Sequence, residues 1–469
     1  MRVGGGAVVV FLKRCGIALC AGVLWLAIGL LQPAAAASVQ IDPRYQSAYD
    51  AAFRATYDHP DDVGAALTFA KIAAVAGDLE GAIGALERVL IYNPAIPEVD
   101  LELGLLYKAL GSYAAAQVYL QRADPAKLSP ADQATRAEAL ATVDAGLARN
   151  KLSGVASLGL RYQTNANAGP IAASQAAGGP PAATPGTAAP AIPPISRSER
   201  ARADTDAFAA IAARDSYDLG DQAGTTWDSR LTLYGTRQFH RHLDNVALAE
   251  LDTGPRFRLA GPESNSPTLR PYVVGNVFEL GGSEYYASGG GGLSLGVQLD
   301  PQWSFEGTFE ARDLRFSNSS VEPTATDYDA VQVLGRLLVN YAPTVDDLAS
   351  LLAQFTNYDA KQGFYTYQEA RLGAGYIHRF PAPWSWRPQP WSVGLFASYA
   401  ARPYDHRDAS VDPVHLRDDN EWTVSGALTI GLLDQVDFRL EVQQVWADST
   451  VALYEYRDTA VLGSIGLRF

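Results

Sequence analysis

The chain has 469 residues, 48% hydrophobic and 19% charged, and a formal net charge of −14. So acidic a balance excludes a nucleic-acid partner, because phosphate neutralisation needs a cationic surface. Both cysteines, Cys15 and Cys20, lie close to the N-terminus, so the remainder of the chain can form no disulfide, thiolate metal site or cysteine nucleophile.

Lys13 and Arg14 precede an apolar stretch from Cys15 to Leu31, and Pro33 leads into Ala34, Ala35, Ala36 and Ala37. This order of cationic, apolar and small residues predicts a secretion signal over residues 1–37, cleaved near Ala36 or Ala37. The alternative is a membrane anchor, since the apolar run is nearly long enough to span a bilayer. Leu19 stands before Cys20 where a lipidation signal carries a small residue. Loss of Arg2, Lys13 and Arg14 with the signal leaves the exported chain still more acidic.

Residues 38–150 have helical periodicity and repeat at a spacing of 34. Gly77 matches Gly111, Asp78 matches Ser112, Ala82 matches Ala116, Leu86 matches Leu120 and Val89 matches Ala123. The pattern resembles the tetratricopeptide repeat, which also accounts for Leu103, Gly104 and Tyr107 in the second copy and for Pro94 closing the first. Gly77 and Gly111 are placed to end the first helix of each pair, and Ala82 and Ala116 to let the two helices cross closely. The first copy departs from the pattern at Ala70 and Ala73. Two repeats leave apolar ends, so capping helices are expected from Tyr45 to Tyr57 and from Pro130 to Leu147, the latter with Ser129 as N-cap. Such arrays bind peptides or protein surfaces in a concave groove, and Leu67, Lys71, Leu105 and Lys108 fall on the helix faces that line it.

From residue 151 to 469 the period becomes two. Ala156, Leu158, Leu160 and Tyr162 alternate with Ser157, Gly159 and Arg161; Trp303, Phe305 and Phe309 alternate with Ser304, Glu306, Thr308 and Glu310. The last strand sets Thr459, Val461, Ile465, Leu467 and the terminal Phe469 against Ser464, Gly466 and Arg468. Repeated alternation over segments of about ten to fifteen residues, an aromatic C-terminus and a secretion signal together predict an outer-membrane β-barrel with apolar residues to lipid and polar residues to the lumen. Candidate strands lie near 154–163, 205–219, 225–239, 244–258, 268–281, 284–299, 302–316, 328–342, 345–358, 363–379, 391–403, 418–432, 434–448 and 456–469. The segment 345–358 also reads as a helix, with Leu348, Leu351, Leu352 and Phe355 at helical spacing after Asp346 and Asp347. Parity favours the strand and a count of fourteen, with twelve and sixteen as alternatives. The fold class is therefore α + β multidomain: a helical repeat solenoid followed by a transmembrane antiparallel barrel.

Residues 170–204 are dominated by Ala, Gly, Pro, Ser and Thr, a composition that cannot bury a core, and are expected as a flexible external loop. Short turns at Asp300-Pro301 and Leu433-Asp434-Gln435 mark the periplasmic rim, while 164–204, 317–327 and 404–417 mark the external one. Trp227, Trp303, Trp384, Trp386, Trp391, Trp422 and Trp446 stand mostly near segment ends, where interfacial girdles form.

The residues supply no catalytic constellation, cofactor motif or metal-ligand set. His240 and His242 read as neighbours on one strand face without a third ligand; His406 lies with Asp405 and Asp408 in an external loop. Gly289 to Gly292 lack the Lys-Ser/Thr ending of a phosphate loop and read as strand glycines that permit curvature or the close approach of a plug. Arg161, Arg230, Glu306, Glu310, Arg312, Arg371, Asp437, Arg439 and Glu441 are expected to line the lumen, with Glu306 and Glu310 paired to Arg312.

After the first strand, Thr164-Asn165-Ala166-Asn167-Ala168-Gly169-Pro170 resembles the Asn-x-Asn-x-Ala-Pro element of the surface lipoprotein assembly modulators, with Gly169 inserted. The resemblance extends to periplasmic repeats running into a barrel of about fourteen strands. It implies assistance to a client protein, often a lipoprotein, in crossing the outer membrane; Asn165 and Asn167 carry over as motif positions only. Outer-membrane lipids and the barrel-assembly machinery are further expected partners. The alternatives are an exopolysaccharide export pore and a plain porin. A sugar pore needs lumenal aromatics, and the inward residues read from sequence are mostly charged and small, which favours protein export.

Overall fold

The computed structural model describes residues 44–166, 202–261, 265–383, 389–451 and 454–469. The expected signal over 1–37, nearly all of the 170–204 loop, Asn167, Trp384 and Trp386 lie outside the described residues. The chain divides into two compact units that meet between Arg149 and Asn150.

Among the described residues the first unit contains α1 (Gln46–Asp58), α2 (Val63–Ala76), α3 (Leu79–Tyr92), α4 (Pro97–Ala109), α5 (Tyr113–Arg122) and α6 (Pro130–Leu147). Side-chain caps start α2, α3 and α6: Asp62 accepts from the N–H groups of Gly64 and Ala65 at 2.8 and 3.2 Å, Asp78 from Gly81 at 2.8 Å, and Ser129 from Asp132 at 3.2 Å. Beyond α2 and α4, Gly77 and Gly111 adopt left-handed φ angles of 94° and 79°, a conformation that disfavours side chains. The sequence equivalence of these glycines is therefore a backbone equivalence.

Packing follows the repeat. Ala82 and Ala116 are fully buried. A Cβ added to Gly104 would lie 2.5 Å from Leu120 Cγ, so the missing side chain permits the α4–α5 crossing. Ala70 occupies the equivalent place in the first copy and is also fully buried, which explains why the next smallest residue is tolerated there. Phe69, Leu86, Val89, Val99 and Leu103 form one core; Leu101, Leu120, Leu128 and Val143 form a second. Burial of each such side chain contributes about 1.5–3 kcal/mol.

The second unit is a closed fourteen-stranded antiparallel barrel. Its strands are β1 (Asn150–Gln163), β2 (Asp204–Asp218), β3 (Thr226–Gln238), β4 (Val246–Arg258), β5 (Thr268–Leu280), β6 (Ser283–Gln298), β7 (Trp303–Phe316), β8 (Ala330–Tyr341), β9 (Asp347–Ala360), β10 (Tyr367–Phe380), β11 (Trp391–Pro403), β12 (Asp418–Gly431), β13 (Val436–Ser449) and β14 (Tyr456–Arg468). Each pairs with its chain neighbours, and β1 closes on β14 with Val155 opposite Arg468 through Gln163 opposite Ala460. Closure leaves no unpaired edge, the condition for crossing lipid with strands. Leu158, Val273, Leu351, Leu372, Leu395 and Ile465 stand exposed on the outer wall, giving the apolar belt of a membrane-spanning barrel.

The ambiguous segment 345–358 belongs to β9. Its alternation is blurred because Leu352 lies opposite Leu338, which faces inward and is buried, while Leu351 faces outward. Leucine on both faces imitates a helical pattern. Short connections at 299–302 and 432–435 lie on one rim and long ones at 317–329 and 404–417 on the other, but the short-turn rim also carries the longer connections 259–267 and 381–390. One long-loop-rim connection departs from this rule: β5 and β6 are joined by Gly281 and Gly282 alone, both at positive φ, the requirement of a tight hairpin turn. Trp227, Trp303 and Trp391 lie at the short-turn rim, and Trp422 pairs in register with Trp446 nearer the other.

Candidate functional site

Strand parity brings Arg161, Arg230, Glu306, Glu310, Arg312, Arg371, Asp437, Arg439 and Glu441 to the lumenal face. Most are tied in ion pairs: Arg161 Nε lies 3.0 Å from Asp206, Arg371 Nε 3.1 Å from Glu369, Arg439 Nη2 2.8 Å from Glu441, and Arg468 Nε 3.5 Å from Asp437. Arg312 binds Glu310 through Nε and Glu250 through Nη1, each at 2.6 Å. Glu306 does not share Arg312; it accepts from Ser294 Oγ at 3.3 Å. The expected Glu306–Glu310–Arg312 group is thus corrected to Glu250–Arg312–Glu310, which forms across the barrel wall between strands that sequence spacing cannot relate.

Sequence reading missed the other half of the interior. Towards the long-loop rim, Phe208, Tyr234, Phe278, Tyr286, Phe316, Tyr358, Tyr367 and Tyr404 point inward and are buried. Tyr285 joins them through a bulge: Phe278 pairs with Tyr286 and Glu279 with Glu284, leaving Tyr285 as the extra residue. Tyr328, from the connection between β7 and β8, packs on Phe316 at a centroid distance of 5.7 Å, and its carbonyl accepts from Tyr358 Oη at 2.7 Å. Arginines bind the cluster to the charged lining: Arg402 lies 5.3 Å above the Tyr367 ring and Arg417 lies 4.3 Å above that of Tyr404. The expectation of a mainly charged and small lumen is therefore overturned. These rings pack against one another and constrict the lumen. They were legible by carrying each strand's parity to its long-loop end, except Tyr285, whose placement depends on the bulge, and Tyr328 and Tyr404, which lie outside the strands.

The glycine tract in β6 makes room for neighbours. A Cβ on Gly290 would lie 2.0 Å from the Ala311 carbonyl oxygen, and one on Gly292 would lie 2.4 Å from the Tyr272 ring, whose hydroxyl donates to Glu310 at 2.8 Å. His240 and His242 are not on a strand, because β3 ends at Gln238. His240 Nδ1 instead lies 2.9 Å from Asp204. His406 Nδ1 lies 3.3 Å from the Gly363 carbonyl.

Asn165 has a defined place at the barrel seam. Its backbone N–H donates to Asp458 Oδ1 at 2.9 Å, and its side-chain amide to the Arg457 carbonyl at 3.2 Å. Gln163 and Thr164 donate to the same Asp458 carboxylate at 3.2 and 3.0 Å. At the seam's other end, Phe469 and Gly154 exchange backbone hydrogen bonds of 2.8 and 3.0 Å. A side chain on Gly154 would meet the Phe469 ring.

In the repeat unit, Leu67 and Leu105 are half-buried and pack on the two cores, Lys71 is exposed, and Lys108 is half-buried. Burial raises the Glu102 carboxyl above its ordinary range against the opposing influence of Lys71. Tyr107 stacks on Tyr119 at 5.4 Å, and their hydroxyls donate to Glu87 Oε1 at 2.8 and 2.9 Å. Burial first, and then the Glu87 contact, push Tyr107 up to about 12.

The sequence matches no known family model and no curated protein. Among solved structures, a tetratricopeptide repeat protein from Parabacteroides merdae ATCC 43184 is similar at 21% identity over 22% of this chain, with a TM-score of 0.20; the chain spans 40% of that protein's length. A loop-deletion form of OmpT, an outer membrane protein of Vibrio cholerae, aligns at 7% identity over 69% of this chain and 100% of its own, with a TM-score of 0.35. A bacterial polysaccharide outer membrane secretin aligns at 9% identity over 67% and 98%, with a TM-score of 0.31. Similarities this distant carry no functional inference.

Proposed function

We propose that this is an outer-membrane protein of a Gram-negative bacterium whose periplasmic repeat unit captures an exported client protein, such as a lipoprotein, and assists its translocation or display at the surface. The observation that carries the reading is the union, in one chain, of a helical repeat array with a membrane barrel whose interior is packed with aromatic rings and ion pairs. A diffusion porin needs an open aqueous lumen, whereas a repeat array supplies a protein-binding surface. The chain enters β1 from the short-turn rim, the periplasmic rim in such barrels, which supports a periplasmic repeat unit. Insertion makes outer-membrane lipids and the barrel-assembly machinery necessary partners.

The aromatic interior favours one second reading, exopolysaccharide export, since sugars stack on aromatic rings. It is the weaker reading because rings such as Phe278 and Tyr286 are buried against each other rather than presented to a passing chain. Comparing surface proteins and surface polysaccharide in cells with and without the gene separates the readings. Loss of one or a few surface proteins is expected; loss of polysaccharide with an unchanged set of surface proteins would replace the first reading by the second.

A further inference from the structure

We propose that residues 317–329, the connection between β7 and β8, are a retractable plug: packed into the lumen they close the barrel from the long-loop side, and withdrawn they open it. The connection sends Val321, Ala325 and Tyr328 into the aromatic cluster, while Asn318, Ser320, Pro323 and Thr324 stay exposed. Ring contacts run from Phe316 on β7 through Tyr328, 5.7 Å away, to Tyr365, which lies 4.3 Å from Tyr328 in the connection between β9 and β10. Tyr328 thus joins the rings of two parts of the wall, and its withdrawal parts them.

Two features make this connection releasable rather than a fixed part of the wall. The first is its attachment. Its one regular element is a single turn, Ala325–Tyr328, and it folds largely on itself: Ser319 N–H donates to the Glu322 carbonyl at 3.0 Å, Glu322 N–H to Ser319 Oγ at 3.1 Å, and Thr326 N–H to Asn318 Oδ1 at 2.9 Å. Side chains of β9 and the connection after it reach across to hold it: Tyr358 Oη donates to the Tyr328 carbonyl at 2.7 Å, Lys361 Nζ to the Thr326 carbonyl at 3.3 Å, and Gln362 Nε2 to Asp327 at 3.4 Å. Segments with few such ties open at lower cost than paired strands. The second feature is the polar cost of the packed position. Glu322, on the connection, is 4% exposed, and the buried Tyr285 and Tyr286 hydroxyls have no hydrogen-bond partner. Withdrawal returns water to a desolvated carboxylate and to unmet hydroxyls, which opposes the apolar gain of Val321, Ala325 and Tyr328 and brings the two positions closer in free energy. The plug would seal the barrel between passages whether the cargo is protein or polysaccharide.

The test is single-channel recording of the full chain in planar bilayers with a reversible tether. A Cβ on Gly281 would lie 3.0 Å from Val321 Cγ2 and 3.4 Å from Leu243 Cα, so Leu243, in the connection between β3 and β4, is a neighbour of the plug. Leu243→Cys with Val321→Cys is bridged by a short bis-methanethiosulfonate and released with dithiothreitol, in the native and the Lys361→Met background, with each single-cysteine variant as control. The unbridged chain is expected to be closed with brief openings. Lys361→Met is expected to raise the open fraction several-fold, the effect of one lost charge-assisted hydrogen bond. The bridge is expected to abolish the openings and dithiothreitol to restore them, a reversibility that a fixed constriction would not show. Replacing residues 319–328 by a short glycine linker is expected to give steady conductance; if that variant lacks the heat-modifiable folded band, the bridged pair still decides. Openings that persist in the bridged protein, absence of openings from both unbridged backgrounds, or a folded shortened variant as closed as the native chain would overturn the proposal.

Discussion

The backbone N–H of Asn165, just beyond the first strand, donates to the carboxylate of Asp458 on the last strand at 2.9 Å. Gln163 and Thr164 converge on the same carboxylate, so one side chain fastens the closing seam at the long-loop rim. Asp458→Ala would leave these donors unmet, at a cost of about 1–3 kcal/mol. Urea unfolding of the purified barrel in detergent should show the lower midpoint. Asn165→Ala, which keeps the backbone contact, should cost less.

Phe469 fastens the other end of the seam through its reciprocal backbone pair with Gly154. Deletion of Phe469 removes both hydrogen bonds and the ring that covers Gly154. The expected result is less heat-modifiable protein in outer-membrane fractions. Gly154→Val should reproduce the defect, because its side chain would collide with the ring.

The aromatic constriction predicts low ion conductance for the native barrel in planar bilayers. Tyr285→Ala with Tyr328→Ala should raise conductance, because one ring sits on the bulge and the other reaches inward from the connection between β7 and β8. Each deletion should also lower stability by about 3–5 kcal/mol, as for other buried aromatic truncations. Unchanged conductance in a folded double variant would place the barrier elsewhere.

In the repeat unit, Tyr107→Phe keeps the stack on Tyr119 and loses one hydroxyl contact with Glu87, whereas Tyr107→Ala loses both. Half-burial of Tyr107 limits the alanine effect to about 1–3 kcal/mol, measurable as faster amide exchange in α4 and α5. The same tyrosine predicts an alkaline transition. Its folded value is raised to about 12, so the folded unit retains a proton that the unfolded chain releases above about 10. Its contribution to stability is present below that range and declines between pH 10 and 12.

Legibility in the sequence followed the regularity of each element. Gly77 and Gly111 betrayed helix ends because left-handed backbone restricts the residue type, and outward residues such as Leu158 and Ile465 betrayed strands because lipid demands one polarity along the whole wall. The lumen has no such uniform demand. Arg312 pairs with Glu250 across the wall, a relation fixed by register, and Leu338 and Leu352 place apolar groups inward where alternation expects polar ones. Tyr285 was out of reach because a one-residue bulge reverses the face that parity assigns.

The central claim, that the repeat unit holds an exported client protein, is tested most directly by photocrosslinking from positions 71 and 108 in living cells, replacing Lys71 and Lys108 in turn with a photoreactive residue. The account predicts crosslinks to one or a few exported proteins that are also lost from the surface when the gene is deleted. Crosslinks confined to polysaccharide-synthesis proteins, with the surface proteins unchanged by the deletion, would contradict it.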